Sequence, residues 1–436
     1  MREVIFGVVI LAAMLLAVDA MAWPALRRAF GLRSGSRTRR TAAVLFWGTA
    51  ALVPPLLTLG LLLAHRGNDA AGWGIISTIS VLYLPKVVLA AGALADWALV
   101  GFGRLGVRVV IADRQRRAAL TARVADFRAA SVLGCGLACV LYLWFLIWAS
   151  AGRQALTVHR VDVPVAGLPE ALDGLVIAHI SDLHLASLQG RPELVRKLIA
   201  AVNDARPDLV ACTGDLAPAG KLGEGPEILG RLEARLGTFA VAGNHDFGTR
   251  ELASADWASP GSRDRDVAAL REAYAARGAR LLVNEAATVE RGGGRLTLIG
   301  TGVFDEHHGY RDSDLDLACG GLDGNSVGIL LTHNPELWDL EVVGRRPIVL
   351  TLAGHTHGGQ IGLELGPLRA SLAGLELRRW AGLYREGDQF LYVNRGIGLY
   401  GPPFRAGIPA EVALIRLVRA RSRVTSEAVN QLQEIR

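Results

Sequence analysis

The chain carries side chains suited to holding metal ions, and their placement is regular. "ISDLH" supplies Asp182 and His184, and "CTGD" supplies Asp215. "AGNHD" supplies Asn244, His245 and Asp246, "LLTHN" supplies His333, and "AGHTHGGQ" supplies His355 and His357. Each group follows a short apolar run of strand length. Each therefore falls at the carboxyl end of a predicted strand, where open α/β sheets bind ligands. One such motif alone is weak evidence, because a strand-end Asp is commonly a helix cap. Five in order are strong evidence. The donors are carboxylates, imidazoles and one amide, a set that suits Mn, Fe, Zn, Mg or Co. Even seven of these nine residues as ligands are too many for one ordinary ion. They fit two divalent ions sharing a bridging carboxylate, and two ions about 3.5–4 Å apart form the usual clamp for displacement at phosphorus. The four cysteines show no CxxC spacing, which argues against a thiolate zinc site and against a disulfide framework. In an extended stretch, residues i and i+2 share a side. The "HTH" triplet is therefore expected to turn both imidazoles to one cluster and Thr356 away from it. Gly358 and Gly359 are expected to allow unusual dihedrals beside it.

The elements that must position these residues alternate in type. "GLVIAHISD", "DLVACTGD" and "GTFAVAGNHD" read as buried strands, and "RPELVRKLIAAVNDARP" reads as an amphipathic helix between the first two. This rhythm predicts an α/β domain over residues 151–436. The later apolar runs "RLTLIGTGV", "VGILLTH", "IVLTLAGH", "QFLYVNRG" and "EVALIRLV" are compatible with antiparallel strands. His179, inside the first strand, is expected to be structural.

Residues 1–150 are of another kind. Half of the 436 residues are hydrophobic, and apolar runs at roughly 4–23, 43–64, 73–100 and 131–150 have the length of membrane spans. Four transmembrane helices are expected, with Trp73, Trp97, Trp144 and Trp148 near their interfaces. Asp19, Lys86 and Asp96 would be costly in lipid unless paired, and an Asp19–Lys86 pair is one solution. This region holds 16 Lys or Arg against six Asp or Glu, whereas the remainder holds 31 against 35. The basic character thus belongs to the membrane part, and no nucleic-acid partner is expected. Six arginines lie in the loop 24–42, seven in 103–130 and one in 65–72. The positive-inside rule then places both termini, and the domain after residue 150, outside the cytoplasm of a multi-pass inner-membrane protein.

"SDLH", "TGD", "GNHD", "THNP" and "GHTHGGQ", in this order, resemble the calcineurin-like metallophosphoesterase superfamily, and its bacterial membrane-anchored branch in particular. The later "NRGIGLYGPPFRAGIPAEVALIRL" is similar to that branch too. The resemblance covers about residues 170–420. It implies a four-layer α/β/β/α sandwich, here preceded by the four membrane helices. It also implies that Asp182, His184 and His357 hold one metal, that Asn244, His333 and His355 hold the other, and that Asp215 bridges them. A hydroxide activated by the two ions would attack phosphorus, and His245 would protonate the leaving oxygen or bind phosphate. Many relatives carry an acidic residue three positions after the bridging Asp. Here that position is Pro218, which leaves Asp246 as a carboxylate to orient His245.

Around this centre, Arg395 and Arg405 are candidate phosphate-binding residues by bidentate hydrogen bonds. Asp305, His307 and His308 are candidates for a substrate rim. The stretch "ASLAGLELRRW", ending at Trp380, mixes apolar and basic residues in a way that suits lipid headgroups, a substrate tail or a covered loop. The expected activity is hydrolysis of a phosphoester or pyrophosphate bond in a membrane-associated or extracytoplasmic substrate, one that is lipid-linked in the form the bilayer favours. Two alternatives are a UDP-diacylglucosamine-type lipid A precursor pyrophosphohydrolase, whose substrate is cytoplasmic, and an inactive membrane sensor or scaffold.

Overall fold

The computed structural model describes residues 2–32, 34–65, 69–125, 127–217, 227–247, 260–305, 310–365, 368–401 and 404–420. The chain divides into two compact units, residues 1–147 with 401–403, and residues 148–400 with 404–436.

The first unit is helical: α1 (Arg2–Ala29), α2 (Arg37–His65), α3 (Asp69–Val110), α4 (Arg114–Ala125) and α5 (Ala129–Ala151). Its helices are apolar on their outward faces, with Val44, Leu52, Trp97, Phe102 and Leu133 exposed, as a surface solvated by lipid would be. Among the described residues, three stretches are long and apolar enough to cross a membrane: Arg37–Gly60, Tyr83–Val110 and Arg114–Trp148. These overlap the second, third and fourth expected spans. The first expected span, 4–23, lies within α1, which carries the buried Asp19, and is not among the three. Small residues let the helices approach closely. A Cβ on Gly92 of α3 would stand 2.8 Å from the Ala130 carbonyl oxygen of α5.

The buried ionisable residues Asp19, Lys86 and Asp96 of this unit all have partners. Lys86 Nζ donates to Asp19 Oδ1 at 2.8 Å, and Tyr83 OH donates to Asp19 Oδ2 at 2.7 Å. Lys86 Nζ also lies over the Phe46 and Tyr83 rings, 4.7 and 4.4 Å from their centroids. Asp96 accepts the backbone N–H groups of Ala130 and Ser131 at 3.0 and 2.9 Å. It therefore caps the first turn of α5 from a neighbouring helix.

The second unit is mixed α/β and is built on two six-stranded sheets, its strands numbered in chain order. The first sheet runs β1 (Leu156–Val165), β16 (Ala410–Arg419), β2 (Val176–Ile180), β3 (Leu209–Thr213), β4 (Thr238–Val241), β5 (Ala279–Leu281). The second runs β14 (Gly382–Glu386), β15 (Gln389–Val393), β11 (Ile348–Ala353), β10 (Val327–Leu331), β7 (Gly294–Gly300), β6 (Glu285–Arg291). Two hairpins lie outside these sheets, β8 (Phe304–Asp305) with β9 (Tyr310–Arg311) and β12 (Gly362–Leu365) with β13 (Leu368–Ser371).

Side chains alternate across the first sheet as the strand period of two requires. Ala178, Ile180, Val210, Cys212 and Ala240 share a core cluster with α6 (Pro192–Asp204) and α7 (Pro260–Ala275), through Leu194, Leu198, Val202, Leu270 and Tyr274. Their neighbours Ile177, Leu209, Ala211, Phe239 and Val241 share another cluster with Leu298, Leu331, Leu352 and Tyr392 of the second sheet. The helix α6 forms where the 3.6-residue apolar period predicts it, and Pro192 occupies its first turn, where a missing N–H costs nothing.

One expectation is corrected. Strands β7, β10, β11 and β15 pair in parallel, not antiparallel. They are nearly continuous apolar runs, the pattern of strands covered on both faces, and such strands belong to parallel sheets. β16 is antiparallel to β2 but parallel to β1.

Candidate metal centre

The two sheets contribute to the centre in the same way. Asp182, Asp215 and Asn244 lie two or three residues beyond β2, β3 and β4, and His333 and His355 lie two residues beyond β10 and β11. Asp182, His184, Asp215 and His357 converge so that one ligand atom of each lies within 4.8 Å of the others. His184 Nε2 is 3.1 Å from His357 Nε2 and 3.5 Å from Asp215 Oδ2. His357 Nε2 is 3.4 Å from Asp182 Oδ1. The second group adjoins the first through Asp215, whose Oδ2 is 3.3 Å from His333 Nε2, and His333 Nε2 is 3.2 Å from His355 Nδ1. Asn244 is buried beside its neighbours in the "GNHD" turn.

The local backbone is strained to achieve this. Asp182, His184, Asp215, His355 and His357 all have positive φ, between 38° and 69°. That conformation is unfavourable for residues with a Cβ and persists where surrounding structure enforces it, as it does at functional sites. Glycines supply the clearance. A Cβ on Gly354 would collide with Ser181 Oγ and Asp182 Oδ2, and one on Gly243 would collide with Asp215 Oδ1.

The polar accounting fits a cation. Asp182 Oδ1 and Asn244 Oδ1 are buried with no hydrogen-bond partner, a costly state unless another ligand completes them. His333 Nδ1 donates to the Thr213 carbonyl at 2.7 Å, and because a carbonyl only accepts, Nε2 is left to face the cluster. Burial lowers the pKa of His184 to about 3 and that of His357 well below its usual value, so both imidazoles are neutral, as metal ligation requires. Burial raises Asp182, with the Asp215 charge adding to it. Burial opposes ionisation of Asp215 as well, but His333 and His245 beside it hold its carboxyl well below the usual range.

The histidine pair reaches the cluster by a different route from the one expected. His355 and His357 are not in an extended stretch. Both adopt left-handed backbone around a helical Thr356, whose hydroxyl donates to the Trp380 carbonyl at 2.7 Å. The His355 N–H donates to Asp182 Oδ2 at 3.0 Å, and this bond fixes the turn. Gly358 and Gly359 do carry positive φ, at 58° and 71°.

Three further residues have partners other than those expected. Asp246, expected to orient His245, is engaged by the backbone. Its carboxylate accepts the N–H groups of Asp215, Leu216, Ala217 and Gly243 at 2.7–3.0 Å, and so clamps the loop that presents Asp215. Arg395 and Arg405, expected to bind phosphate, are buried and committed to internal partners, as a buried guanidinium must be. Arg395 pairs with Glu411 and with Glu364. Arg405 donates to the carbonyls of His357, Arg395 and Gly398, tying the "HTH" turn to the segment after β15. His245 donates its backbone N–H to Asp215 Oδ1 at 2.9 Å, and its ring lies 5.3 Å from that of His184. Pro218, His307 and His308 lie outside the described residues, as does the side chain of Asp305.

Sequence reasoning missed Tyr400. Its ring centroid is 4.4 Å from that of His245 and 5.9 Å from that of His184. Gln360 brackets its backbone with two hydrogen bonds of 2.6 and 3.0 Å. A tyrosine offers no metal-ligand signal in such a motif, and the Gln360 bracket holds it at the centre.

Fold and cluster together define a metal-binding α/β protein with a hydrolytic type of centre. Residues 175–359 match the calcineurin-like phosphoesterase family. A transmembrane protein with metallophosphoesterase domain from Danio rerio is 32% identical over 331 residues, 73% of this chain and 69% of the relative. Its Bos taurus counterpart is 31% identical over 279 residues, 61% of this chain and 58% of the relative. A UDP-2,3-diacylglucosamine pyrophosphatase of Chlamydia trachomatis is 29% identical over 322 residues, 62% of this chain and 93% of the relative. The chain belongs to the calcineurin-like metallophosphoesterases, and its reaction class is phosphoester hydrolysis.

Proposed function

We propose that the chain hydrolyses a phosphoester or pyrophosphate bond of a membrane-associated substrate at a dinuclear metal centre. The observation that carries this reading is the convergence of Asp182, His184, Asp215 and His357 within 4.8 Å. In this reading Asp182, His184 and His357 hold one ion, Asn244, His333 and His355 the other, and Asp215 both. Two divalent cations there supply Lewis-acid polarisation of the phosphoryl group and a nucleophilic water. The protein's own contributions are positional. Asp246 fixes the Asp215 loop, Arg405 fixes the His357 turn, and His333 is oriented by the Thr213 carbonyl. His245, on the open side beside Tyr400, donates the proton to the leaving oxygen. The two sheets form the inner layers of a four-layer α/β/β/α sandwich over residues 151–436. Residues 1–150 cross the bilayer four times, with α1 as the first span, and hold the domain outside the cytoplasm. The arginine distribution supports that orientation.

The test is elemental analysis of the purified protein together with hydrolysis of bis-p-nitrophenyl phosphate in added Mn. Bound metal and turnover that chelation abolishes are expected. Absence of both metal and turnover overturns the reading.

A second reading rests on the Chlamydia trachomatis relative. In that reading this chain's substrate is a UDP-diacylglucosamine and its domain faces the cytoplasm. A topology reporter fused after residue 436 separates the two, since activity outside the cytoplasm supports the first reading and a cytoplasmic signal supports the second.

A further inference from the structure

Hairpins on a protein surface normally turn polar residues to water. The β12–β13 hairpin and the turn after it do the reverse. Its register pairs Leu363 with Ala370 and Glu364 with Arg369. Leu363, Leu368 and Ala370 are exposed, while Glu364 and Arg369 are half-buried. The charged pair is engaged inward. Arg369 Nε donates to Glu364 Oε1 at 3.0 Å and its guanidinium lies 4.9 Å from the Trp380 ring centroid. Glu364 Oε1 also accepts from Arg395 Nη2 at 2.7 Å. Beyond β13 the apolar row continues, with Leu372 52% and Leu375 82% exposed. Four exposed leucines on one short segment whose charges are tucked beneath them form a surface for an apolar partner.

The chain itself narrows the choice of partner. Its long apolar helices keep a bilayer within tethered reach of this domain. Arg378 is exposed three residues after Leu375, with the exposed Glu376 between them, so the edge of the patch carries both signs and its apolar face is what fits the headgroup–acyl boundary. The segment is also coupled to the metal centre. Ser371 Oγ donates to the Gly358 carbonyl, the Leu372 N–H to the Ile361 carbonyl, and the Thr356 hydroxyl to the Trp380 carbonyl.

We propose that Leu363, Leu368, Leu372 and Leu375 dock on the surface of a phospholipid bilayer and set the metal centre against its headgroups, so that the substrate is a lipid phosphoester. The substrate clause rests on the phosphoesterase reading above, whereas the docking does not.

The experiment uses the full chain in phosphatidylcholine–phosphatidylglycerol nanodiscs, with Cys139 and Cys319 changed to serine. A nitroxide is placed at Leu375→Cys and, as a control, at the likewise apolar and exposed Leu317→Cys (64% exposed) on the short helix α8 (Leu315–Cys319). The label at 375 is expected to be accessible to oxygen and shielded from a nickel chelate, and the label at 317 the reverse. A label at 375 that matches 317, or one shielded from both reagents by a protein partner, overturns the docking. In a second arm, Leu368→Glu with Leu375→Glu is expected to lower turnover of a bilayer-embedded phosphoester by more than about tenfold, on the basis of two acidic charges repelled by an anionic surface. Bis-p-nitrophenyl phosphate hydrolysis should be unchanged. Equal loss on both substrates, or on neither, overturns the proposal. Absence of hydrolysis in the parent protein instead removes the phosphoesterase reading, and the spin labels still decide the docking.

Discussion

The two units bury charge in opposite ways. In the helical unit, Asp19 has a lysine and a tyrosine hydroxyl at 2.7–2.8 Å, and Asp96 has two backbone N–H groups. In the α/β unit, Asp182 and Asp215 are just as buried, yet Asp182 Oδ1 and Asn244 Oδ1 have no hydrogen-bond partner. Burying polar atoms without partners costs free energy, so a folded chain keeps them only where something else completes them. A completed charge in the helical unit is structure, and an uncompleted group of donors at strand ends is a site. Asp246 marks the boundary within the α/β unit. It lies among the candidate ligands, but four N–H groups complete it, and it acts on the loop.

The largest effect should come from Asp215→Ala, which removes the carboxylate shared by both groups of ligands. Metal affinity should fall by more than the about 10–100-fold typical of losing a partner behind a ligand, and turnover should vanish with it. Elemental analysis and bis-p-nitrophenyl phosphate hydrolysis on the same sample measure this, and retention of full metal content would break the comparison. His245→Ala should lower kcat by about 10²–10⁴ while the metal stays bound. An emptied site in that variant would make His245 a ligand, not a proton donor. In the other unit, Lys86→Met leaves Asp19 buried without its cation and should cost about 3–5 kcal/mol. Adding Asp19→Asn should recover most of that. Thermal unfolding in nanodiscs reads both, and a single variant as stable as the double would show that the pair is not needed.

The parts of the molecule legible in the sequence are those that local pattern encodes. The candidate ligands stand out because each follows an apolar run, and α6 because its period and its proline agree. Even the Asp19–Lys86 pair follows from the cost of leaving either residue alone in lipid. What failed was information held in long-range contacts. The continuous apolar runs mark β7, β10, β11 and β15 as covered on both faces, but which strands they pair with, and in which direction, is fixed by contacts distant in the sequence. The left-handed turn at His355 depends on a hydrogen bond to Asp182, 173 residues away. Arg405 looked like a phosphate ligand because its carbonyl partners cannot be seen without the fold, and Tyr400 carries no signal of its own.

His179 sharpens the comparison at its smallest scale. It lies inside β2, three residues before Asp182, with Nε2 2.9 Å from Thr213 Oγ1 and with Nδ1 buried and unpartnered. It is thus half completed, by one neutral hydroxyl and no charge. Burial lowers its pKa to about 3. The unfolded chain takes up a proton as pH falls below about 6.5, the ordinary histidine value, while the folded chain does not. The stability that depends on neutral His179 is therefore whole above that pH and is lost as pH falls from about 6.5 towards 3, by up to about 1.4 kcal/mol per pH unit. His179→Gln keeps an N–H for Thr213 and removes the titration. Thermal unfolding between pH 7 and pH 5 should fall less steeply in the variant than in the parent. Parallel profiles would mean that the histidine is charged in the fold, and that a buried group in this unit can be completed by less than the comparison requires.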